Sequence, residues 1–210
     1  MTEIGVGLRE RKKQRTRDAI SAAAIGLFLE RGYDRVSVAE VAAAAEVSKP
    51  TLFKYFASKE DLALHRIADH AGELARVVLG RSSGTSPLAA LHAHFKHGLA
   101  GRDPVTGLND HPQVLAYHRL IFETPALAGR VAAHAAADED SLAAALSDDI
   151  PAPADFVAAG QIVAVRRILA RENWRHLAAG VSADARHPAA LAAADDAFAL
   201  LGGGLAARYS

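Results

Sequence analysis

The chain has 210 residues, half of them hydrophobic, with 24 Lys+Arg against 24 Asp+Glu and no cysteine. That length accommodates one large domain or a small one beside a larger one, and the lack of thiols excludes disulfides and thiolate-ligated metal or Fe–S sites. No run reaches the roughly 18 apolar residues a membrane helix needs, and the opening MTEIGVGLRERKKQRTR contains no apolar signal core, so a cytoplasmic protein is expected.

The neutral total hides an asymmetry. Residues 1–60 carry 11 Lys+Arg and 8 Asp+Glu, leaving 13 and 16 for the remainder. Six of the basic residues fall within RERKKQRTR at 9–17. A basic start on an acidic body points to a polyanionic partner at one end of the molecule.

Helical signals run through almost the whole chain, and no segment alternates as a strand. The first helix is predicted from about Leu8 to Arg31, because Ile20, Ala23, Ala24, Leu27 and Phe28 repeat at the spacing of one buried helical face. Gly32 ends it. Ser37 with Glu40 three residues on forms a capping box for a second helix over Val38 to about Ala45. Ser48 caps a third helix, with Pro50 in the first turn, where a missing N–H costs nothing. Only Ala45-Glu46-Val47 separates the two helices, which is the spacing of a helix-turn-helix. Leu52 and Phe56 must face inward, leaving Lys49, Thr51, Lys54 and Tyr55 pointing away.

Ser58 caps a long fourth helix, predicted to continue through Leu62, Ile67 and Leu74 to about Leu79. GRSSGTSP (80–87) breaks the chain, and Ser86-Pro87 starts the next helix. GRDPVTGLND (101–110) and DDIPAPAD (148–155) read as loops. Pro112 and Thr124-Pro125 read as helix starts. A helix is expected from about Asp155 to Ala170 and beyond Trp174, and His187-Pro188 is expected to start a last helix ending near Arg208.

The stretch from about Arg15 to Leu64, AAAIGLFLERGYDRVSVAEVAAAAEV followed by SKPTLFKYFASKEDL, resembles the DNA-binding domain of the TetR family of bacterial transcriptional regulators. Trp174 to Ala207 also looks like the C-terminal domain of many actinobacterial members. The resemblance implies an all-α protein with a three-helix helix-turn-helix domain at 1–57 and a larger effector-binding and dimerisation domain at 58–210. It implies a homodimer whose two reading helices enter successive major grooves of a palindromic operator. Lys49, Pro50 and Thr51 then occupy base-reading positions and Tyr55 and Lys59 phosphate-contacting ones. Ser37 stands at the backbone-facing start of the second helix, with Ser48 and Lys54 beside the reading row. Arg15 and Arg17 belong to the basic run that supplies further phosphate contacts or a minor-groove arm. Two positions depart from the family pattern: Glu46 stands at the usual turn glycine, and Phe53 where many members carry Tyr.

The family keeps an effector cavity in the helical body, for which His94, Phe95, Tyr117, His118, Phe122, Gln161 and Trp174 are the candidate lining residues. Each is equally a candidate for plain core. A mostly apolar pocket of this kind suits a lipophilic or aromatic small molecule. Phe156, Ile162 and Val163 on the penultimate long helix, with Leu191, Phe198, Leu201 and Leu205 on the last, offer an apolar seam. Within one subunit the seam is core; across a dimer axis it is the four-helix interface of the family.

No catalytic or metal site and no cofactor is expected. There is no P-loop, G-x-S-x-G or H-E-x-x-H. His92, His94 and His97 cannot all share one helical face, and His65 and His70, five apart, fare no better. The reading is thus a ligand-responsive repressor. Alternatives are an activator or protein-controlled regulator of the same fold, or a helical metal- or cofactor-dependent enzyme.

Overall fold

The computed structural model describes residues 3–147 and 150–204, with side chains from Glu10 onward. Ten α-helices and one short 3-10 turn make up the described residues, with no strand among them. They fall into two compact units, the first comprising Met1–Asp69 with Ala116–Val131, the second His70–Leu115 with Ala132–Ser210.

Unit 1 contains α1 (Glu3–Arg31), α2 (Val38–Ala44), α3 (Lys49–Phe53) and α4 (Lys59–Ala68). Gly32 ends α1 at φ 86, a left-handed conformation that a side chain would oppose. Ile20, Ala24 and Phe28 of α1 pack with Val41, Leu52, Phe56, Leu62 and Leu64 in one buried cluster. The later segment Ala116–Val131 adds Tyr117, Ile121 and Leu127 to the same cluster. Tyr117 reaches farther still, its hydroxyl donating to the Ala63 carbonyl at 2.7 Å.

Unit 2 contains α5 (Glu73–Leu79), α6 (Pro87–Ala100), the 3-10 turn Pro104–Thr106, α9 (Pro153–Ala178) and α10 (Ala183–Gly203), and it takes the remaining parts of α7 (Pro112–Glu123) and α8 (Pro125–Leu146). Its cluster joins Leu91, Phe95, Leu99, Leu108, Leu142, Ile162, Val163 and Phe198. Gly107 (φ 71) is fixed by close approach: an added Cβ would lie 1.9 Å from the Ala170 carbonyl oxygen. Next to it, buried Asn173 donates to the Thr106 carbonyl at 3.0 Å and accepts from Arg186 Nε at 3.1 Å.

The structure corrects several predicted boundaries. The first helix begins at Glu3 instead of Leu8. The predicted fourth helix is two: α4 ends at Ala68 and α5 starts at Glu73, after Gly72 in a left-handed conformation (φ 68). The Gly72 N–H donates to Asp138 Oδ1 at 2.8 Å, a partner 66 residues away that no local pattern reveals. The last helix starts not at His187-Pro188 but five residues earlier, capped by Ser182, and Pro188 lies inside it. Two contacts anchor this earlier start: the Ala183 N–H donates to Asp110 Oδ2 at 2.7 Å, and the Arg102 guanidinium pairs with Asp184. Leu205 and the expected helix end near Arg208 lie outside the described residues.

Candidate nucleic-acid interface

The helix-turn-helix is assembled by local hydrogen bonds. The Ser37 hydroxyl accepts from the Glu40 N–H at 3.2 Å, while Glu40 Oε2 accepts from the Ser37 N–H at 2.8 Å. That reciprocal pair satisfies donors the first turn of α2 would leave open. At the other end, the Val47 N–H reaches back to Ala42 and that of Glu46 to Ala43, the double bond of a Schellman turn. Glu46 sits there at φ 54. The left-handed backbone that the sequence departure implies is therefore real, and it costs on the order of 1 kcal/mol. Val47 packs against the core of unit 1.

Ser48 then caps α3, its hydroxyl accepting from the Thr51 N–H at 3.2 Å and lying 2.7 Å from Thr51 Oγ1. Leu52 is fully buried and Phe56 nearly so, which fixes the rotation of the short helix. Lys49, Pro50 and Lys54 consequently point to solvent and Thr51 stays half-exposed beside them. Phe53 is 45% exposed on the same helix. Tyr55 is half-buried and lines an open groove with Glu10, Lys12, Lys13 and Thr16 of α1. Lys12 and Lys13 were not singled out by sequence; the signal was present in the basic run at 9–17, but only the fold puts these two beside Tyr55.

Four expected contacts are placed differently from one another. Arg15 is exposed on α1. Arg17 lies with its guanidinium 5.5 Å from the centre of the Phe56 ring, so its charge rests over the back of the reading segment. Lys59 turns inward: its ammonium donates to the Tyr33 carbonyl at 2.6 Å and stands 4.2 Å from the Tyr33 ring centre. The Tyr33 hydroxyl donates to Glu60 at 2.8 Å, and burial together with that carboxylate raises its pKa. Ser37 is likewise occupied, with both its N–H and its hydroxyl held by Glu40. The Ser37 backbone bond keeps the Glu40 carboxyl below its ordinary range, so a negative charge sits at the start of α2.

Residues 20–65 match the family model for bacterial regulatory proteins of the tetR family. The segment that carries the helix-turn-helix is thus similar to the DNA-binding domain of the TetR family. Across 127 residues it is 38% identical to the HTH-type transcriptional regulator TcmR of Streptomyces glaucescens, an alignment covering 60% of this chain and 56% of TcmR. The chain thus spans about half the length of that curated relative. Among solved structures it is similar to NalD, the secondary repressor of the MexAB-OprM multidrug efflux pump in Pseudomonas aeruginosa, with TM-score 0.58 and 19% identity over 88% of this chain and 97% of NalD. A TetR-family regulator from Streptomyces coelicolor gives TM-score 0.58 and 21% identity over 90% of this chain and 96% of the other. At such identities the structures establish the shared fold: an N-terminal helix-turn-helix domain with a larger helical domain.

The TetR-type effector candidates do not come together in one unit. Tyr117, His118 and Phe122 belong to unit 1, whereas His94, Phe95, Gln161 and Trp174 belong to unit 2. Phe95 is core, its ring 6.4 Å from that of Phe198. His118 is mostly buried, and burial lowers its pKa to about 4, so its ring is neutral at physiological pH. His94 is drawn to Glu73 at 3.4 Å, as is His70, while Arg166 stands 3.5 Å from the same carboxylate. Hydrogen bonds from the two imidazoles hold the Glu73 carboxyl far below the usual range. The three histidines of α6 diverge: His92 pairs with Asp195 at 2.8 Å and stacks on Phe198, His94 takes Glu73, and His97 is exposed.

The apolar seam also divides. Ile162, Val163 and Phe198 are buried inside their own unit, and Leu191 and Leu201 pack against the same cluster. Phe156, Val157 and Ile168 of α9 are 44%, 60% and 57% exposed. On α10 the exposed positions include Ala185, Ala189, Ala192 and Ala199, small residues that permit close helix approach. No described helix is long and apolar enough to cross a membrane.

Proposed function

We propose that the chain is a transcriptional repressor that reads an inverted DNA repeat as a homodimer and releases it when a small lipophilic or aromatic effector binds the helical body. The observation that carries the reading is the outward row Lys49, Pro50, Thr51 and Lys54 on a helix whose orientation is fixed by buried Leu52 and Phe56. Ammonium and hydroxyl groups on the first turns of such a helix can meet guanine acceptors and phosphates in a major groove. Lys12, Lys13 and Tyr55, gathered at one groove, fit the neighbouring backbone, whose contacts give affinity but little sequence choice.

The match of residues 20–65 to the TetR-family model and the 38% identity over 127 residues to a protein named as a transcriptional regulator support regulation over catalysis. The repressor sense follows the kind of protein NalD is described as being. For the homodimer, support comes from the exposed Phe156, Val157 and Ile168 of α9 and the small outer residues of α10. Two such faces joined about a two-fold axis would bury them together. For the effector's chemistry, support comes from the apolar, partly aromatic interior of unit 2 and from the family.

In vitro selection from random duplexes with the purified protein tests the reading. Recovery of an inverted repeat, with half-sites about one helical turn apart, is expected, together with a dimer mass by light scattering. Recovery of no consensus, with binding lost at modest salt, would reduce the interface to a basic arm adhering to polyanions.

A further inference from the structure

Within unit 1, away from the reading row, one buried histidine faces two carboxylates. His65 on α4 is 2% exposed. Its Nε2 lies 3.0 Å from Asp18 Oδ1 on α1, and its Nδ1 lies 3.5 Å from Asp69 Oδ1, one turn further along at the end of α4. The first contact is a hydrogen bond, but the buried Nδ1 has no hydrogen-bond partner. A neutral imidazole has a single N–H. In the neutral form, with that proton given to Asp18, the Nδ1 lone pair would face a carboxylate, and only a positive charge bound at the ring lets both carboxylates approach it favourably. Native structures rarely leave a buried polar atom in that position.

A cation supplies that positive charge. One ligand atom each from Asp18, His65 and Asp69 can be chosen so that all three lie within 4.8 Å of one another. A zinc ion takes nitrogen and oxygen ligands at about 2.0–2.2 Å, so ligand atoms around it stand up to roughly 4 Å apart. The two aspartates have side chains 54% and 48% exposed, free to close the remaining distance and to admit water as further ligands. Burial of the imidazole, by contrast, presets the orientation of its ring.

We propose that Asp18, His65 and Asp69 form a binding site for a divalent first-row transition ion of the zinc type. The donor set, one imidazole with two carboxylates, suits such ions better than the all-oxygen shells of calcium or magnesium. Its ligands come from α1 and α4, so the ion cross-links the two helices. The ring of Phe56 stands edge-on to His65, with centroids 5.4 Å apart, and Phe56 is the residue that seats the reading segment. An ion here therefore braces the support of the DNA-reading helix.

Untagged full-length protein, freed of metal with a chelator, is titrated with Zn2+ by calorimetry, with a thermal melt at each end-point. The chain has 10 histidines, so the variants decide the location. One saturable ion per chain and a rise in Tm reversed by chelator are expected for the wild type. Asp18→Asn and Asp69→Asn should each weaken Zn2+ at least tenfold, and His65→Gln should abolish the strong site. His97→Gln, on the exposed face of α6, should leave it intact. The aspartates are exposed enough for their asparagine variants to fold, which circular dichroism verifies. No saturable Zn2+ in the wild type, or affinity unchanged in either aspartate variant, would overturn the site.

Discussion

The helix-turn-helix of unit 1 and the helical packing of unit 2 are held together over very different distances along the chain. Caps at Ser37 and Ser48 close on residues three positions away, and the turn between α2 and α3 closes within five. In unit 2 the comparable polar contacts join residues 67 apart for Asn173 and Thr106, 93 for Arg166 and Glu73, and 99 for Lys96 and Asp195. One region is specified by short signals that survive being read in isolation. The other is specified by partners that only the finished fold brings together. Substitutions that probe this contrast range from a large effect in unit 2 to a small one in unit 1.

The largest expected effect is at Gly107. A methyl there meets the Ala170 backbone, which cannot swing aside as a side-chain end could, and the left-handed φ adds its own penalty. Gly107→Ala should cost roughly 3–5 kcal/mol, overpacking and backbone strain combined, read as a fall in Tm. A cost below about 1 kcal/mol would mean that the 3-10 turn and α9 are not held at this spacing.

A pH dependence separates the units next. His118 of unit 1 titrates near 4 when folded because burial opposes its charge, against about 6.5 in an unfolded chain. Between those values the unfolded state binds the extra proton, so stability is lost as pH falls from about 6.5 toward 4. The full effect is on the order of 2–4 kcal/mol. His70 of unit 2 is shifted the other way, raised chiefly by its hydrogen bond with Glu73. Its stabilisation is present below about 6.5 and fades as pH rises through its higher folded value. His118→Leu should therefore flatten the acid side of the stability profile measured by urea unfolding, whereas His70→Gln should lower stability mainly below neutrality. An acid limb unchanged in His118→Leu would show that the ring is not dry.

How much of this was legible follows the same division. The capped helices, the buried pair Leu52 and Phe56, and the outward Lys49, Thr51 and Lys54 rest on spacing and cap chemistry, and they stand where the sequence places them. The break at residues 69–72 was not legible, because Gly72 is held by Asp138 and the apolar spacing runs on regardless. The start of α10 was misplaced because Pro188 is a strong local signal and the anchor of Ala183 on Asp110 is a distant one. His65 looked unremarkable beside His70, since its two carboxylate neighbours include one 47 residues upstream. Charge alone also failed to tell a surface lysine from one folded onto a tyrosine carbonyl.

That last distinction is open to direct measurement. Lys59→Ala removes a charge-assisted bond to the Tyr33 carbonyl and a cation over its ring, and should lower stability by about 1–3 kcal/mol. Lys49→Ala, exposed on α3, should leave stability within about 0.5 kcal/mol but reduce discrimination between operator and mismatched DNA by roughly 1–3 kcal/mol. If Lys59→Ala instead left Tm untouched and lowered the salt slope of DNA binding, its ammonium would belong to the phosphate contacts after all.

The smallest expected effect lies at Ser37, where cap and contact can be told apart. Its hydroxyl and N–H are both engaged by Glu40, so nothing of the side chain remains uncommitted for a phosphate. Ser37→Ala should cost about 1 kcal/mol of stability through the lost cap, with affinity for a selected operator falling little once the protein is fully folded. Ser37→Asp restores a cap acceptor but adds a charge beside Glu40, so it should recover less stability than an isolated aspartate cap provides. A fall in affinity clearly larger than the fall in stability for Ser37→Ala would require the capping box to open on DNA, freeing the hydroxyl and the first N–H groups of α2 for the backbone. The small region of the molecule that is most legible locally would then also be the one that rearranges on binding.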